Sequence, residues 1–174
     1  MNERGFTLAE LLVASAVLGL LMLAVFTVQR QGLSAYLAGA VRVEVQQNGR
    51  AALEMMSNDL RSALAITAVA TGCGTGPVPT GGGATTISLT DQGGTAIQYQ
   101  LVGADLQRNG VVLAGGVERI RIWCYDTNNA LTATAENVRS VQVQISTRTE
   151  AAVATTSERN QHALMESRVR LRNL

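Results

Sequence analysis

Aromatic residues are scarce in this chain of 174 residues, and lysine is absent. Phe, Trp and Tyr together make up 3% of the sequence, whereas hydrophobic residues of all kinds make up 47%. A core must therefore be built from Val, Leu, Ile and Ala. The formal net charge is +1, which creates no large field of the kind that attracts nucleic acid or anionic lipid. The length suffices for one domain with a core and one additional element.

Residues that carry catalytic or metal chemistry are also few. The chain has a single histidine, His162, and carboxylates are scattered around it. We find no Ser–His–Asp arrangement, metal-ligand spacing, phosphate loop or dinucleotide fingerprint. The glycine run at Gly81 lies in a low-complexity stretch without the strand-to-helix context of a phosphate cradle. The sequence therefore predicts a protein that is not an enzyme and that holds no cofactor and no metal.

A long apolar run follows a short polar leader that contains Arg4. The run from Phe6 to Val28 is long enough to span a bilayer, which needs about 20 helical residues. A secretory signal cut after Ala40 is one alternative, although the run is longer than signal peptides usually have. An ordinary single-pass anchor is another. Neither explains Glu10, because a carboxylate is costly in the membrane and less so near its interface.

The stretch RGFTLAELLVASAVLGLL resembles the cleavage and methylation motif of type IV prepilins and type II secretion pseudopilins. The resemblance implies that a prepilin peptidase cuts after Gly5 and then methylates the new amino terminus at Phe6. It also implies that Glu10 meets the positive amino terminus of a neighbouring subunit during assembly. Such a charge pair would offset the cost of removing both charges from water, and it would set the register between subunits.

Beyond Val28 the pattern becomes that of an amphipathic helix. One apolar face recurs at spacings of three and four residues, formed by Val41, Val45, Ala52, Leu53, Met56, Leu60 and Leu64. We expect one helix from about Phe6 to Ala65, with two helices broken near Gly32 or Gly39 as the alternative. The predicted segments are a leader at 1–5, a transmembrane or filament-core helix at 6–30, an amphipathic helix half at 31–66, a Gly/Pro-rich loop at 67–84 and a β-sheet domain at 85–174.

Alternating apolar and polar residues in the last segment indicate antiparallel strands with one buried face. Asn109-Gly110 is a strong hairpin signal. The predicted fold class is α+β: a long amino-terminal helix packed on an antiparallel sheet, as the pilin resemblance also implies. The stretch IQYQLVGADLQRNGVVLAGGVERIRIWCYD and the closing RVRLRN resemble PilW-like minor pilins and the related J-type minor pseudopilins.

Two further features concern the exported part. In an oxidising compartment Cys73 and Cys124 are expected to form a disulfide; the alternative is two unpaired thiols, with Cys124 simply buried. Arg168, Arg170 and Arg172 share one strand face. That face is a candidate weak site for nucleic acid or a partner, the alternative being a solvated strand face.

The resemblance implies a minor type IV pilin that initiates or caps pilus assembly. Its implied partners are other pilin subunits, the prepilin peptidase and the inner-membrane assembly platform. The chain would sit in the bacterial inner membrane by a single pass before assembly, with its domain in the periplasm and later on the extracellular pilus. A minor pseudopilin of a type II secretion system is the alternative, as is a pilus-associated adhesin or DNA-uptake subunit.

Overall fold

The computed structural model describes residues 7–69, 73, 84–149 and 160–172. It divides into two compact units, Met1–Ala40 and Val41–Leu174. The described part of the first unit is helical, and its apolar side chains are exposed. The helix α1 runs from Leu8 to Ser62, so helical backbone continues through the glycines at which a break was the alternative.

Eight strands follow the helix in the part of the chain that the structure describes. They are β1 Ala65–Val69, β2 Thr86–Thr90, β3 Ala96–Val102, β4 Asp105–Arg108, β5 Val111–Ala114, β6 Val117–Tyr125, β7 Ser140–Arg148 and β8 His162–Arg170. A short 3-10 helix, Ala135–Asn137, precedes β7. The predicted α+β class is confirmed, because a long apolar helix packs its second half on antiparallel sheet.

The strands form two sheets rather than the single sheet expected from the alternation. β1 to β5 make a five-stranded antiparallel sheet in chain order, and β6 to β8 make a three-stranded one. The chain passes from one to the other after β5, where the Val117 amide donates to the carbonyl of Ala104 at 2.9 Å. The period-two pattern identifies the strands and their aliphatic faces, but Gln142 and Gln144 on the opposite face of β7 are buried as well. The pattern also carries no information on which strands share a ladder.

The helix ends earlier than predicted. It stops at Ser62, whereas the sequence analysis extends the amphipathic half to residue 66 and assigns 67–84 to a loop. The Leu64 amide donates to the carbonyl of Thr90 at 2.8 Å, and β1 then pairs with β2. Since pairing with β2 satisfies the backbone groups of this stretch, tertiary structure outweighs the apolar spacing that favours more helix.

Both sheets pack on the second half of α1. The buried helix residues are Val45, Gly49, Ala52, Met56, Ser57 and Leu60. Opposite them the core is almost entirely aliphatic, with Ile87, Leu89 and Ile97 from the five-stranded sheet, and Ile120, Val143 and Ile145 from the three-stranded one. The core composition follows from the scarcity of aromatic residues.

The predicted hairpin at Asn109-Gly110 joins β4 to β5. Both residues have positive φ, 53° and 79°, as a two-residue type I′ turn requires. The Asn109 side chain also accepts from the Gln98 amide at 2.7 Å, which fixes the turn against β3. This turn places β5 at one edge of the five-stranded sheet.

Candidate functional site

Thr7 and Glu10 form a capping box at the start of α1. The Glu10 Oε2 atom accepts hydrogen bonds from the Thr7 amide at 3.0 Å and from the Thr7 hydroxyl at 2.9 Å. In return the Glu10 amide donates to Thr7 Oγ1 at 3.3 Å. The spacing Thr-x-x-Glu is the sequence signature of this arrangement, so the signal was present in the sequence, but the sequence analysis did not use it.

One oxygen of the Glu10 carboxylate stays uncommitted by this cap. All described bonds to the side chain go to Oε2, which leaves Oε1 without a partner among the residues that the structure describes. The carboxylate is exposed on the helix surface. It can therefore cap its own helix and still accept a charged hydrogen bond from another molecule.

Hydroxyl groups within the apolar run are satisfied by the helix itself. Ser15 Oγ donates to the carbonyl of Leu12 at 2.9 Å, and Thr27 Oγ1 donates to the carbonyl of Ala24 at 2.7 Å. Such local bonding is what polar side chains need in a medium without water. By length and composition α1 is able to cross a membrane, and none of its most apolar stretch is buried within the described protein.

Gly5 and Phe6, the expected cleavage and methylation positions, lie outside the described residues. Residues 1–26 match a family model described as the prokaryotic N-terminal methylation motif. The chain carries the amino-terminal motif of the type IV pilin and pseudopilin family. No curated protein matches the chain. The subtype within the family is not assigned by this match.

The motif has implications for the processing, assembly and membrane anchoring of the chain. It implies processing by a prepilin peptidase and assembly with other pilins. Together with the apolar helix, it is consistent with a membrane-anchored pilin. Proteins with this motif are structural subunits rather than enzymes. Among residues 7–69, 73, 84–149 and 160–172, no group of three or more His, Cys, Asp and Glu side chains is placed to hold a metal ion.

The two cysteines are joined within the unit Val41–Leu174. Cys73 and Cys124 form a disulfide between the segment after β1 and the buried face of β6. Both residues are fully buried in the aliphatic core. The bond closes a loop across 51 positions of sequence, which restricts the unfolded chain and so favours the folded one.

The three arginines singled out from the sequence lie in and just after β8. Arg168, Arg170 and Arg172 are all exposed, while Val169 and Leu171 between them are buried. Arg168 and Arg170 line one groove, to which Arg139 contributes a further guanidinium. Arg172 is not part of that lining. Arg139 precedes β7, and sequence alternation alone does not bring it beside β8.

Arg168 is held firmly at the edge of this groove. Its guanidinium carbon lies 3.9 Å from the centroid of the Tyr125 ring. Its Nη2 donates to Ser140 Oγ at 3.0 Å and also to Asn129 Oδ1. Stacking and forked donation are characteristic of Arg and not of Lys.

A network missed by sequence reasoning ties α1 to the five-stranded sheet. The Asp59 carboxylate accepts from Tyr99 Oη at 2.6 Å and from Arg108 Nε at 2.8 Å. Burial raises the pKa of Tyr99, and the hydrogen bond to Asp59 raises it further. That same carboxylate raises the pKa of Arg108. The network stabilises the fold and lies away from the methylation motif.

His162 has a local role. Its Nδ1 lies 3.4 Å from Glu118 Oε2, and both side chains are largely exposed. Ser146 Oγ also donates to that carboxylate oxygen at 3.3 Å. This arrangement links β6, β7 and β8 at the surface.

Proposed function

We propose that this protein is a minor type IV pilin, a structural subunit that initiates or caps pilus assembly. A prepilin peptidase would cleave it after Gly5 and methylate Phe6 while it is anchored in the inner membrane. The assembly platform would then move it from the membrane into the filament. The single observation that carries this proposal is the match of residues 1–26 to the methylation motif.

The apolar part of α1 supplies the association energy in this proposal. Its exposed side chains include Leu12, Leu18, Leu21 and Phe26, which no described part of the molecule covers. Before assembly they lie in lipid, and in the filament they contact equivalent helices of neighbouring subunits. Transfer from lipid to a helical bundle is driven by packing rather than by the hydrophobic effect, so directional contacts must define the register.

Glu10 is the directional contact in our proposal. Its Oε2 atom is used by the Thr7 cap at 2.9–3.0 Å, and its free Oε1 accepts from the methylated amine of the adjacent subunit. A carboxylate near the membrane core costs roughly 2.5–3.5 kcal/mol on insertion scales and less near the interface. Pairing with an amine offsets much of that cost. In a misplaced subunit the carboxylate would stay unpaired and the full cost would remain.

Resemblance supports the finer assignment to minor pilins. The hydrophobic spacing of the strand segments, the Asn109-Gly110 hairpin and the closing RVRLRN resemble those of PilW-like proteins. J-type pseudopilins of type II secretion share these features and the motif. If the chain is instead such a pseudopilin, the same helix packing and the same Glu10 contact would operate in a periplasmic filament.

Intact mass of protein purified from its host tests the proposal. We expect a chain that lacks residues 1–5 and is heavier than the unmodified remainder by one CH2 unit, because a methyl group replaces an amine hydrogen. The variant Gly5→Ala should remain full length in the same host. Gly19→Ala is the control: no atom lies within 4 Å of a Cβ added at this helical position, so the variant should be processed normally. Native protein that retains its first five residues would contradict the proposal.

Deletion of the gene separates the two assignments. Loss of surface pili with normal export of secreted enzymes supports a minor pilin. Loss of export with normal pili would assign the chain to a secretion system instead. Restoration by the wild-type gene, and not by the Gly5→Ala variant, is the matching control.

A further inference from the structure

An arginine groove lies at the end of the three-stranded sheet where β8 finishes. Its volume is about 670 Å³, and the buried Leu171 forms part of its floor. The polar lining residues are Asp126, Thr127, Asn129, Arg139, Ser140, Arg168 and Arg170. The groove belongs entirely to the unit Val41–Leu174, so it is independent of the methylation motif.

The guanidinium of Arg168 is held in a fixed position by neighbouring side chains. The Tyr125 ring supports its guanidinium plane, while Ser140 and Asn129 accept from Nη2. Its Nε also donates to Ser140 Oγ, at 3.3 Å. Nη1 keeps its donors uncommitted among the described residues. The ring contact and the bonds from Nε and Nη2 fix the guanidinium, so little rotamer entropy remains to be lost when the Nη1 donors bind a carboxylate or phosphate oxygen.

The positive charge of the groove is poorly compensated. Arg139 Nη1 donates to the carbonyls of Glu136 and Val138 at 2.8 and 3.0 Å, which are neutral partners. Arg170 makes no side-chain hydrogen bond or ion pair within the part of the chain that the structure describes. The acid in the lining, Asp126, uses Oδ1 to accept from two backbone amides of its own turn. Three arginines therefore line the groove together with one carboxylate residue.

Glu166, the acidic residue two positions before Arg168 on β8, forms its hydrogen bonds with residues other than the groove arginines. Glu166 accepts from Gln142 Nε2 at 2.6 Å and from Gln144 Nε2 at 3.2 Å, and no described bond joins it to Arg168. Among the residues that the structure describes, no carboxylate therefore forms an ion pair with Arg168 or Arg170.

We propose that the arginine groove binds carboxylate side chains of an acidic segment from a partner protein. Forked guanidinium groups match carboxylates in geometry and charge. The Tyr125 ring is covered by Arg168 and only 8% exposed, so it offers no platform for stacking a nucleobase. The formal net charge of +1 also provides no extended field along which a polyanion would lie.

Fluorescence anisotropy with the full-length chain in nonionic detergent tests this proposal. The probes are hexaglutamate and hexaglutamine peptides with the same uncharged dye, and a short DNA duplex. We expect hexaglutamate to bind more tightly than hexaglutamine, by about tenfold or more for several charge-assisted contacts. Its binding should weaken as salt is added.

Arg170→Gln removes one guanidinium with no described partner to disturb. We expect it to weaken hexaglutamate binding about fivefold, the upper range for an exposed ion pair. Arg170→Lys, which restores a point charge, should bind more tightly than Arg170→Gln. Arg119→Gln is the matched control, because Arg119 is an exposed arginine on β6, at the far end of this sheet's face. It should bind like wild type.

Two results would overturn the proposal. One is hexaglutamate binding that is no tighter than hexaglutamine binding, which would show that the groove does not recognise carboxylates, or hexaglutamate binding that falls equally in Arg170→Gln and Arg119→Gln, which would report attraction by charge without a site. The other is tighter binding of the DNA duplex with the same dependence on Arg170, which would assign the groove to nucleic acid. Neither result depends on whether the chain is processed as a pilin.

Discussion

The Asp59 carboxylate accepts the hydroxyl of Tyr99 at 2.6 Å and so joins the helix to the middle strand of the five-stranded sheet. Tyr99 is fully buried, while Arg108 on the neighbouring strand completes the contact. The first prediction concerns Asp59→Ala, which leaves the buried hydroxyl without its acceptor. We expect a loss of about 1–3 kcal/mol in the free energy of unfolding.

Urea unfolding of the full chain in detergent measures this loss. Trp123 is the single tryptophan and is fully buried, so its fluorescence reports on the sheet domain. Glu54→Ala is the control, because Glu54 is an exposed carboxylate on the same helix. Equal destabilisation by the two variants would show that the Asp59 contact contributes nothing specific.

Alkaline pH provides a second prediction from the same network. Burial and the Asp59 bond raise the pKa of Tyr99 in the folded protein, whereas the unfolded phenol titrates near its ordinary value of about 10. The folded state therefore holds this proton more tightly, and its stability is fully present below that pH. Stability should fall as the pH rises above about 10 toward the folded pKa.

Urea midpoints at a series of pH values test this dependence. Tyr99→Phe has no titrating hydroxyl, so its curve should be flatter above the ordinary pKa of tyrosine. Tyr36→Phe, an exposed tyrosine of the first unit, serves as the control and should follow wild type. Parallel curves for wild type and Tyr99→Phe would contradict the assignment.

Gly49 provides a third prediction, on packing between helix and sheet. A Cβ atom at this position would lie 3.2 Å from both Met165 Sδ and Thr147 Cγ2. Thr147 cannot easily move, because its hydroxyl donates to the carbonyl of Val45 at 3.0 Å. Gly49→Val should therefore destabilise the domain by about 1–3 kcal/mol through overpacking.

Gly39→Val is the matched control for this substitution. Nothing lies within 4 Å of a Cβ at Gly39, and valine is a better helix former than glycine. We expect unchanged domain unfolding for the control, measured by Trp123 fluorescence. A Gly49→Val midpoint equal to that of wild type would mean that helix and sheet separate at little cost.

The fourth prediction separates two roles of Glu10. Glu10→Gln keeps an oxygen that can accept from Thr7, because glutamine also serves in a capping box, but it removes the charge. Thr7→Ala keeps the charge and removes the cap hydroxyl, at a cost of about 0.5–2 kcal/mol in helix stability. If a neighbouring amine pairs with the carboxylate, Glu10→Gln should enter filaments poorly and Thr7→Ala nearly normally.

The ratio of each variant in sheared filaments to that in the membrane fraction measures incorporation. Both variants should be inserted and cleaved, which immunoblotting of the mature band checks. Better incorporation of Glu10→Gln than of Thr7→Ala would reverse the assignment and leave helix capping as the main role of Glu10.

Much of the secondary structure could be predicted from local patterns. The alternation of Ile120, Ile122 and Cys124 identifies β6 with its buried face, and Asn109-Gly110 identifies a hairpin. β1 was missed because it follows the helix almost directly and is defined by pairing with β2. The division into two sheets was missed for a similar reason, since ladder partners are set by tertiary contacts.

For the candidate sites, too, local features could be predicted from the sequence and contacts between distant residues could not. The contiguous motif containing Glu10 was readable from the sequence, and residues 1–26 match the family model. Contacts between distant positions were not readable: Arg139 joins Arg168 and Arg170 only through the fold, and Asp59 meets Tyr99 across 40 positions. Thr7 was within reach of local reasoning, because its spacing to Glu10 is the capping signature.

The disulfide has a mechanical consequence for a subunit held by one helix. A pull on α1 is transmitted into β1 within a few residues of Ser62, and soon afterwards it reaches Cys73. From there the load passes through a covalent link into β6 at Cys124. The disulfide lies beyond β1 from the pulled end, so it does not protect the pairing of β1 with β2, but it stops unravelling of the chain at Cys73 and keeps that residue attached to β6.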